Sequence, residues 1–193
     1  MDFKSSRTRQ NLMNSFAGES QARNRYTYFA GVAKKAGYEQ IAAIFIDTAE
    51  NEKEHAKVFY KHLAKHMGEG AVTVNGTYPV VFSDTLKHLK EAIAGENEEW
   101  MKLYPEAAKI ADEEGFKDVA ESFRQIAQAE LEHEKRYLAL KNNIETGSVF
   151  KKKSPARWRC RNCGRVIDAA EAPGICPTCE HPQAYFEIMA ENY

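Results

Sequence analysis

The chain has 193 residues, 43% of them hydrophobic, and a formal net charge of −1, which allows one medium domain plus a small one. This near-neutral balance makes no electrostatic case for nucleic acid or a membrane surface. No apolar run approaches membrane-spanning length, and Met1-Asp2-Phe3-Lys4-Ser5 has no apolar signal core, so the expected compartment is the cytoplasm.

Residues 4–34 read as a first helix, with an inward stripe of Leu12, Phe16, Glu19, Tyr26, Ala30 and Ala33. Gly37 ends it. Residues 38–66 form a second helix, striped by Ile41, Ile44, Phe45, Thr48, Glu52, His55, Phe59 and Leu63. Gly68 and Gly70 stop that helix, and 67–83, with Asn75-Gly76 and Pro79, reads as an extended connection long enough to cross a bundle. A third helix starts at Ser83 or Asp84, either a suitable N-cap. Its stripe is Leu86, Leu89, Ile93, Glu96, Trp100, Leu103, Ala107 and Ile110, with Glu99 at the border and Pro105 expected to kink or interrupt the helix. The fourth helix runs from Phe116 to Glu145 and stops at Gly147. Its stripe of Val119, Phe123, Ile126, Tyr137 and Leu140 is completed by Glu130 and His133. Lys151-Lys152-Lys153-Ser154-Pro155 reads as a solvated linker. The domains are therefore expected at 1–147 and 156–193, joined by 148–155.

Charge inside an apolar stripe needs a reason, because burying an unpaired carboxylate is expensive. Glu130 and His133, at i and i+3, project to one side and can share an ion. The same pair recurs 78 residues earlier as Glu52 and His55, flanked by matching residues: Gly37, Ala42, Phe45 and Ala49 answer Gly115, Ala120, Phe123 and Ala127. Ala17-Gly18-Glu19 answers Ala94-Gly95-Glu96 at 77, yet Tyr26 answers Tyr104 at 78, so one residue has slipped between. The chain reads as a duplicated helical hairpin, each half carrying a lone Glu and a Glu-x-x-His. Glu19, Glu52, His55, Glu96, Glu99, Glu130 and His133 are the candidate ligands. An oxygen-rich set with two imidazoles suits a pair of iron or manganese ions. A lone Glu-x-x-His is usually a solvated pair; two copies in stripe register reverse that. Glu50, Glu54, Glu91, Glu98, Glu132 and Glu134 lie off the stripe and read as solvated, and His62, His66 and His88 as surface residues. Tyr26 and Tyr104 read as core, a hydrogen bond into the site being the alternative.

All four cysteines form two Cys-x-x-Cys pairs, Cys160/Cys163 and Cys176/Cys179. In a reducing compartment they read as a tetrahedral metal site for iron or zinc rather than as disulfides. A module of this size needs a metal to hold it, with Trp158, Tyr185 and Phe186 as its core.

These motifs, with Glu96-x-x-Glu99 and Trp158-x-Cys160-x-x-Cys163-Gly164, resemble the rubrerythrin family over essentially the whole chain. Two glutamates plus two Glu-x-x-His pairs are similar to the known dimetal pattern of ferritin-like bundles. The resemblance implies a mainly α fold, a ferritin-like four-helix bundle followed by a small rubredoxin-like domain that binds metal through its four cysteines. It implies two irons bridged by Glu52 and Glu130, with Glu19 on one, Glu96 and His133 on the other, and Glu99 alternating with His55 as the oxidation state changes. It also implies a peroxidase reducing hydrogen peroxide to water, protecting against oxidative stress. Electrons would come through the cysteine-bound iron from a rubredoxin or an NADH-dependent reductase. One departure is Glu180, where stand-alone rubredoxins usually carry a glycine. The helix beyond His133 climbs ~18 Å before the linker, so a head-to-tail homodimer is expected, each cysteine module serving the partner's bundle. The alternatives are a ferroxidase or iron-handling protein of the ferritin-like class, or a metal-binding protein with a structural zinc ribbon.

Overall fold

The computed structural model describes residues 2–192. A short 3-10 turn at Phe3–Ser5 leads into α1 (Arg7–Lys35), followed by α2 (Glu39–Met67), α3 (Thr85–Glu98), α4 (Tyr104–Glu114) and α5 (Lys117–Glu145). Three strands close the chain: β1 (Lys151–Cys160), β2 (Val166–Glu171) and β3 (Phe186–Ile188). They form an antiparallel sheet in the order β2-β1-β3. Among the described residues, no helix is long and apolar enough to cross a membrane.

Helix ends follow the local chemistry. Ser6 and Asp84 cap α1 and α3, accepting from the backbone N–H groups of Arg9 (3.1 Å) and Lys87 (2.8 Å). The Glu114 carboxylate reaches from the end of α4 to accept from the N–H groups of Arg7 and Thr8, placing negative charge at the start of α1. Gly115 leaves α4 at φ 91°, which a side chain would resist. α1 packs against α2, and α3 and α4 pack against α5, giving two hairpins joined by residues 68–84.

The expected kink at Pro105 takes a specific form. Residues Glu99–Leu103 make a π-turn, closed by the Tyr104 N–H donating to the Glu99 carbonyl, five residues back. The extra residue advances the inward face by one position. Leu103, expected inside, is 44% exposed, while Tyr104, Ala107, Ala108 and Ala111 are buried. The slip between offsets 77 and 78 is housed in this turn, since it lies between Glu96 and Tyr104.

Two aromatic trios flank the polar centre. Phe59, Tyr104 and Phe123 have ring centroids 4.9–5.7 Å apart. Tyr137, Tyr26 and Phe45, their counterparts in the repeat, lie 5.1–5.9 Å apart. All six are buried, so the carboxylates between them sit in a low-dielectric layer.

Three expectations need correcting. Residues 151–155 are not a linker but the start of β1, although mostly exposed; Lys151 pairs with Glu171. His88 is not on the surface: it is fully buried, stacks on Phe29 at 3.8 Å and accepts from the Ser83 N–H at 2.7 Å. Glu134 is buried rather than solvated, accepting from Trp100 Nε1 (2.6 Å) and Asn97 Nδ2 (3.1 Å). His62, His66 and Glu91 are half-buried.

Candidate metal centres

Six of the seven expected bundle residues converge. Glu19 (α1), Glu52 and His55 (α2) and Glu130 (α5) bring one donor atom each within 4.8 Å of one another, as do Glu52, Glu96 (α3), Glu130 and His133. Glu52 and Glu130 belong to both groups, and each divides its two oxygens between them. His55 Nδ1 lies 2.8 Å from Glu52 Oε2 and 2.9 Å from Glu130 Oε1. His133 Nδ1 lies 3.2 Å from Glu52 Oε1 and 2.8 Å from Glu130 Oε2. Two cation positions side by side, bridged by two carboxylates, are the direct reading. Glu99 is the seventh. It lies outside both groups and instead lines an adjoining cavity of about 660 Å³ with Arg25, Tyr104, Tyr78 and Gly95.

The donor set fits a metal pair on its own terms. Glu19 Oε2, both oxygens of Glu52 and of Glu130, Glu96 Oε2 and the Nδ1 atoms of His55 and His133 are all buried without a hydrogen-bond partner. Buried polar atoms are rarely left this way, and here all of them face one centre. Burial, then Glu99, Glu130 and Glu52, drive Glu19 far above the usual carboxylate range; burial and Glu52 push Glu96 up to about 8. Burial also raises Glu130, but the two imidazoles outweigh it and hold the carboxyl low. Burial pulls the imidazoles down, yet Glu130 and Glu52 hold His55 at about 10 and His133 at about 12. Protons thus offset part of the cluster's excess negative charge.

The surrounding groups orient the ligands. The Tyr26 hydroxyl donates to Glu96 Oε1 and the Tyr104 hydroxyl to Glu19 Oε1, both at 2.5 Å, so each phenol crosses to the other hairpin. Both tyrosines thus take the alternative role, core residues that also hydrogen-bond into the site. His133 Nε2–H donates to Asn51 Oδ1 at 3.2 Å, which directs the Nδ1 lone pair inward. Asn51 and Glu134 are not among the residues expected from sequence. Nothing local marks Asn51, whereas Glu134 has a clue in the repeat: its counterpart Ala56 is buried.

The four cysteines form the second centre, their sulfurs all within 4.8 Å of one another. Cys160 and Cys179 Sγ are 3.8 Å apart, and Cys163 and Cys176 Sγ 3.7 Å. A tetrahedron with metal–sulfur bonds of about 2.3 Å has edges of about 3.8 Å. Backbone N–H groups turn back at both knuckles, Gly164 to the Cys160 carbonyl and Glu180 to that of Cys176, each at 2.9 Å. Glu180 reaches this geometry at φ 60°, where Gly164 has φ 79°. The departure in sequence therefore leaves the fold of the knuckle unchanged and carries backbone strain.

Residues 10–141 match the family model described as Rubrerythrin, and residues 158–187 the one described as Rubrerythrin, rubredoxin-like domain. The chain belongs to the rubrerythrin family. It is 55% identical to Rubrerythrin-1 of Clostridium acetobutylicum, over 98% of both chains. Identity to the rubrerythrin of Porphyromonas gingivalis is 54%, over 98% of this chain and 94% of the relative. Among solved structures, nigerythrin in its mixed-valence state aligns with a TM-score of 0.64 at 29% identity, covering 96% of this chain and 90% of that one. A bacterioferritin of Mycobacterium tuberculosis shares the fold alone, with a TM-score of 0.63 at 15% identity over 72% of this chain and 86% of that one. The architecture is thus a ferritin-like bundle followed by a rubredoxin-like domain, that of a rubrerythrin-type oxidoreductase.

Proposed function

We propose that the protein is a di-iron peroxidase that reduces hydrogen peroxide to two waters, refilled with electrons through a mononuclear iron held by Cys160, Cys163, Cys176 and Cys179. The observation that carries this reading is the pair of adjacent donor sets sharing Glu52 and Glu130, in the same chain as a tetrathiolate site. Two iron ions in the bundle supply the two electrons and the Lewis acidity needed to break the O–O bond. Glu19, Glu52 and Glu130 would hold one ion with His55, and Glu52, Glu96, Glu130 and His133 the other. The phenols of Tyr26 and Tyr104 fix the outer carboxylates. Glu99, which lines the adjoining cavity with Arg25, would be the ligand that alternates with His55 when the oxidation state changes. Its carboxyl, raised by burial and then by Glu96, would supply one of the two protons the reaction consumes, the second coming from solvent. The aromatic trios keep bulk water out. A tetrathiolate site suits one-electron transfer when it holds iron and is redox-silent with zinc, so iron is the proposed occupant.

The cysteine module rests on the far end of α2. Tyr38 and Phe150 stack with ring centroids 6.3 Å apart, and Ala184 faces Gly37. Glu52 stands 14 residues beyond Tyr38 on α2, about 21 Å along the axis. This separation supports a head-to-tail homodimer in which each module serves its partner's bundle. The external donor would be a rubredoxin or an NADH-dependent reductase, and the compartment the cytoplasm. The test is anaerobic: the fully reduced protein, given one equivalent of hydrogen peroxide, is expected to reoxidise at once. Reoxidation by oxygen but not by peroxide would overturn the reading in favour of an oxygen-dependent ferroxidase.

A further inference from the structure

A separate set of donors lies at one end of the bundle. His62 and His66 stand one turn apart near the end of α2, facing Asp118 in the first turn of α5. His66 Nε2 lies 3.2 Å from Asp118 Oδ2 and His62 Nδ1 3.7 Å from it; one donor atom of each residue lies within 4.8 Å of the others. Both rings are held in place. His62 Nε2 is 2.8 Å from Ser122 Oγ, so the Nε2–H can donate there and leave the Nδ1 lone pair aimed at Asp118. That Nδ1 is buried and has no hydrogen-bond partner. The His66 ring packs against Phe3 (5.2 Å) and Phe116 (5.5 Å). Burial lowers the His62 pKa, favouring the neutral imidazole that a metal requires.

We propose that His62, His66 and Asp118 form a third metal site, for a borderline divalent ion such as Zn²⁺ or Co²⁺, with a remaining position open to solvent. Two imidazoles and one carboxylate are a recurrent donor set for such ions. Ser122 does for His62 what Asn51 does for His133, while Phe3 and Phe116 hold the His66 ring by packing alone. His62 lies seven residues beyond His55, about 10 Å along α2, too far to share an ion with the paired centre. Lys65 Nζ, 2.6 Å from Asp118 Oδ2, is the competing cation. Its side chain is largely exposed and is free to turn into solvent when an ion takes its place. A bound ion would tie the last turn of α2 to the first turn of α5.

Protein with the bundle and cysteine sites filled with iron is titrated with Zn²⁺ by calorimetry, with iron measured before and after. One further equivalent per chain is expected, without release of iron. Asp118→Asn and His66→Gln should each weaken this uptake about 100-fold or more and Ser122→Ala about tenfold, while Lys65→Ala should tighten it. Absence of the extra equivalent, uptake matched by iron release, or uptake unchanged in both Asp118→Asn and His66→Gln would each overturn the proposal. The variants lie outside the paired centre, so retained iron content reports that they have folded.

Discussion

The two hairpins of the bundle repeat one another around the polar centre, with two departures that bear on it. Each supplies a lone glutamate, a bridging glutamate, a histidine and a tyrosine, and each phenol crosses to the other's glutamate. The second hairpin alone has the π-turn at Glu99–Leu103. The first alone has Asn51, which steadies His133; its counterpart, 78 residues on, is Ala129. Among the described residues no side chain takes the equivalent hydrogen bond from His55. So the imidazole without a tether lies in the half opposite the extra carboxylate. Duplication accounts for the two matched donor sets, and under the proposed function the departures from it would let one coordination position change. π-turns recur at functional sites because a single added residue re-aims the side chains around it.

The largest break in the comparison should come from its shared members. Glu52→Ala and Glu130→Ala are expected to behave alike, each reducing bundle metal from two ions to less than one per chain by elemental analysis. A loss confined to one of the two variants would contradict the bridging geometry. Next, removing the metal should invert the pH response. In the metal-free protein, burial and Glu52 raise the Glu96 pKa to about 8. A carboxyl raised on folding contributes stability below its unfolded value, and that stability is lost as pH rises through the folded one. Metal-free protein should therefore lose of order 3 kcal/mol between pH 5 and 9. His55 and His133, raised to about 10 and 12, act in the same sense at higher pH. Thermal unfolding with and without chelator reads this directly.

The departures can be tested singly. Glu99→Ala should lower peroxide turnover about 100-fold, the range for loss of a positioned acid–base group, with metal content and unfolding temperature retained. Ala129→Asn, which restores the missing tether, should slow turnover about tenfold without displacing metal, the scale of an oriented ligand partner. The knuckles repeat the comparison in miniature. Glu180→Gly should stabilise the cysteine module by about 1 kcal/mol by relieving left-handed backbone, checked by its rate of metal release to a chelator.

The ligands are legible in the sequence because charge within an apolar stripe is a strong local contradiction, and the duplication poses it twice. The four helices follow from periodicity, and the one-residue slip announces an irregularity near Pro105. It cannot announce a π-turn, since whether an extra residue bulges out or is wound in depends on what packs there. Glu134 and His88 escape a sequence reading for a related reason. Each is charged or polar in its own helix, and only partners from elsewhere, Trp100 and Asn97 for one and the Ser83 N–H for the other, make burial tolerable. Lys151–Pro155 resembles a linker because three lysines and a proline signal solvent, yet the end of a strand that reaches past one of its neighbours has the same composition.

Neither cation position is built from one hairpin alone: each takes oxygens from α2 and α5 together. Ions held there would act as rivets between the two halves, whose only covalent join is the stretch at 68–84, laid along the outside. Cut there, the fragments should still find one another in ferrous buffer and drift apart once the iron is stripped away.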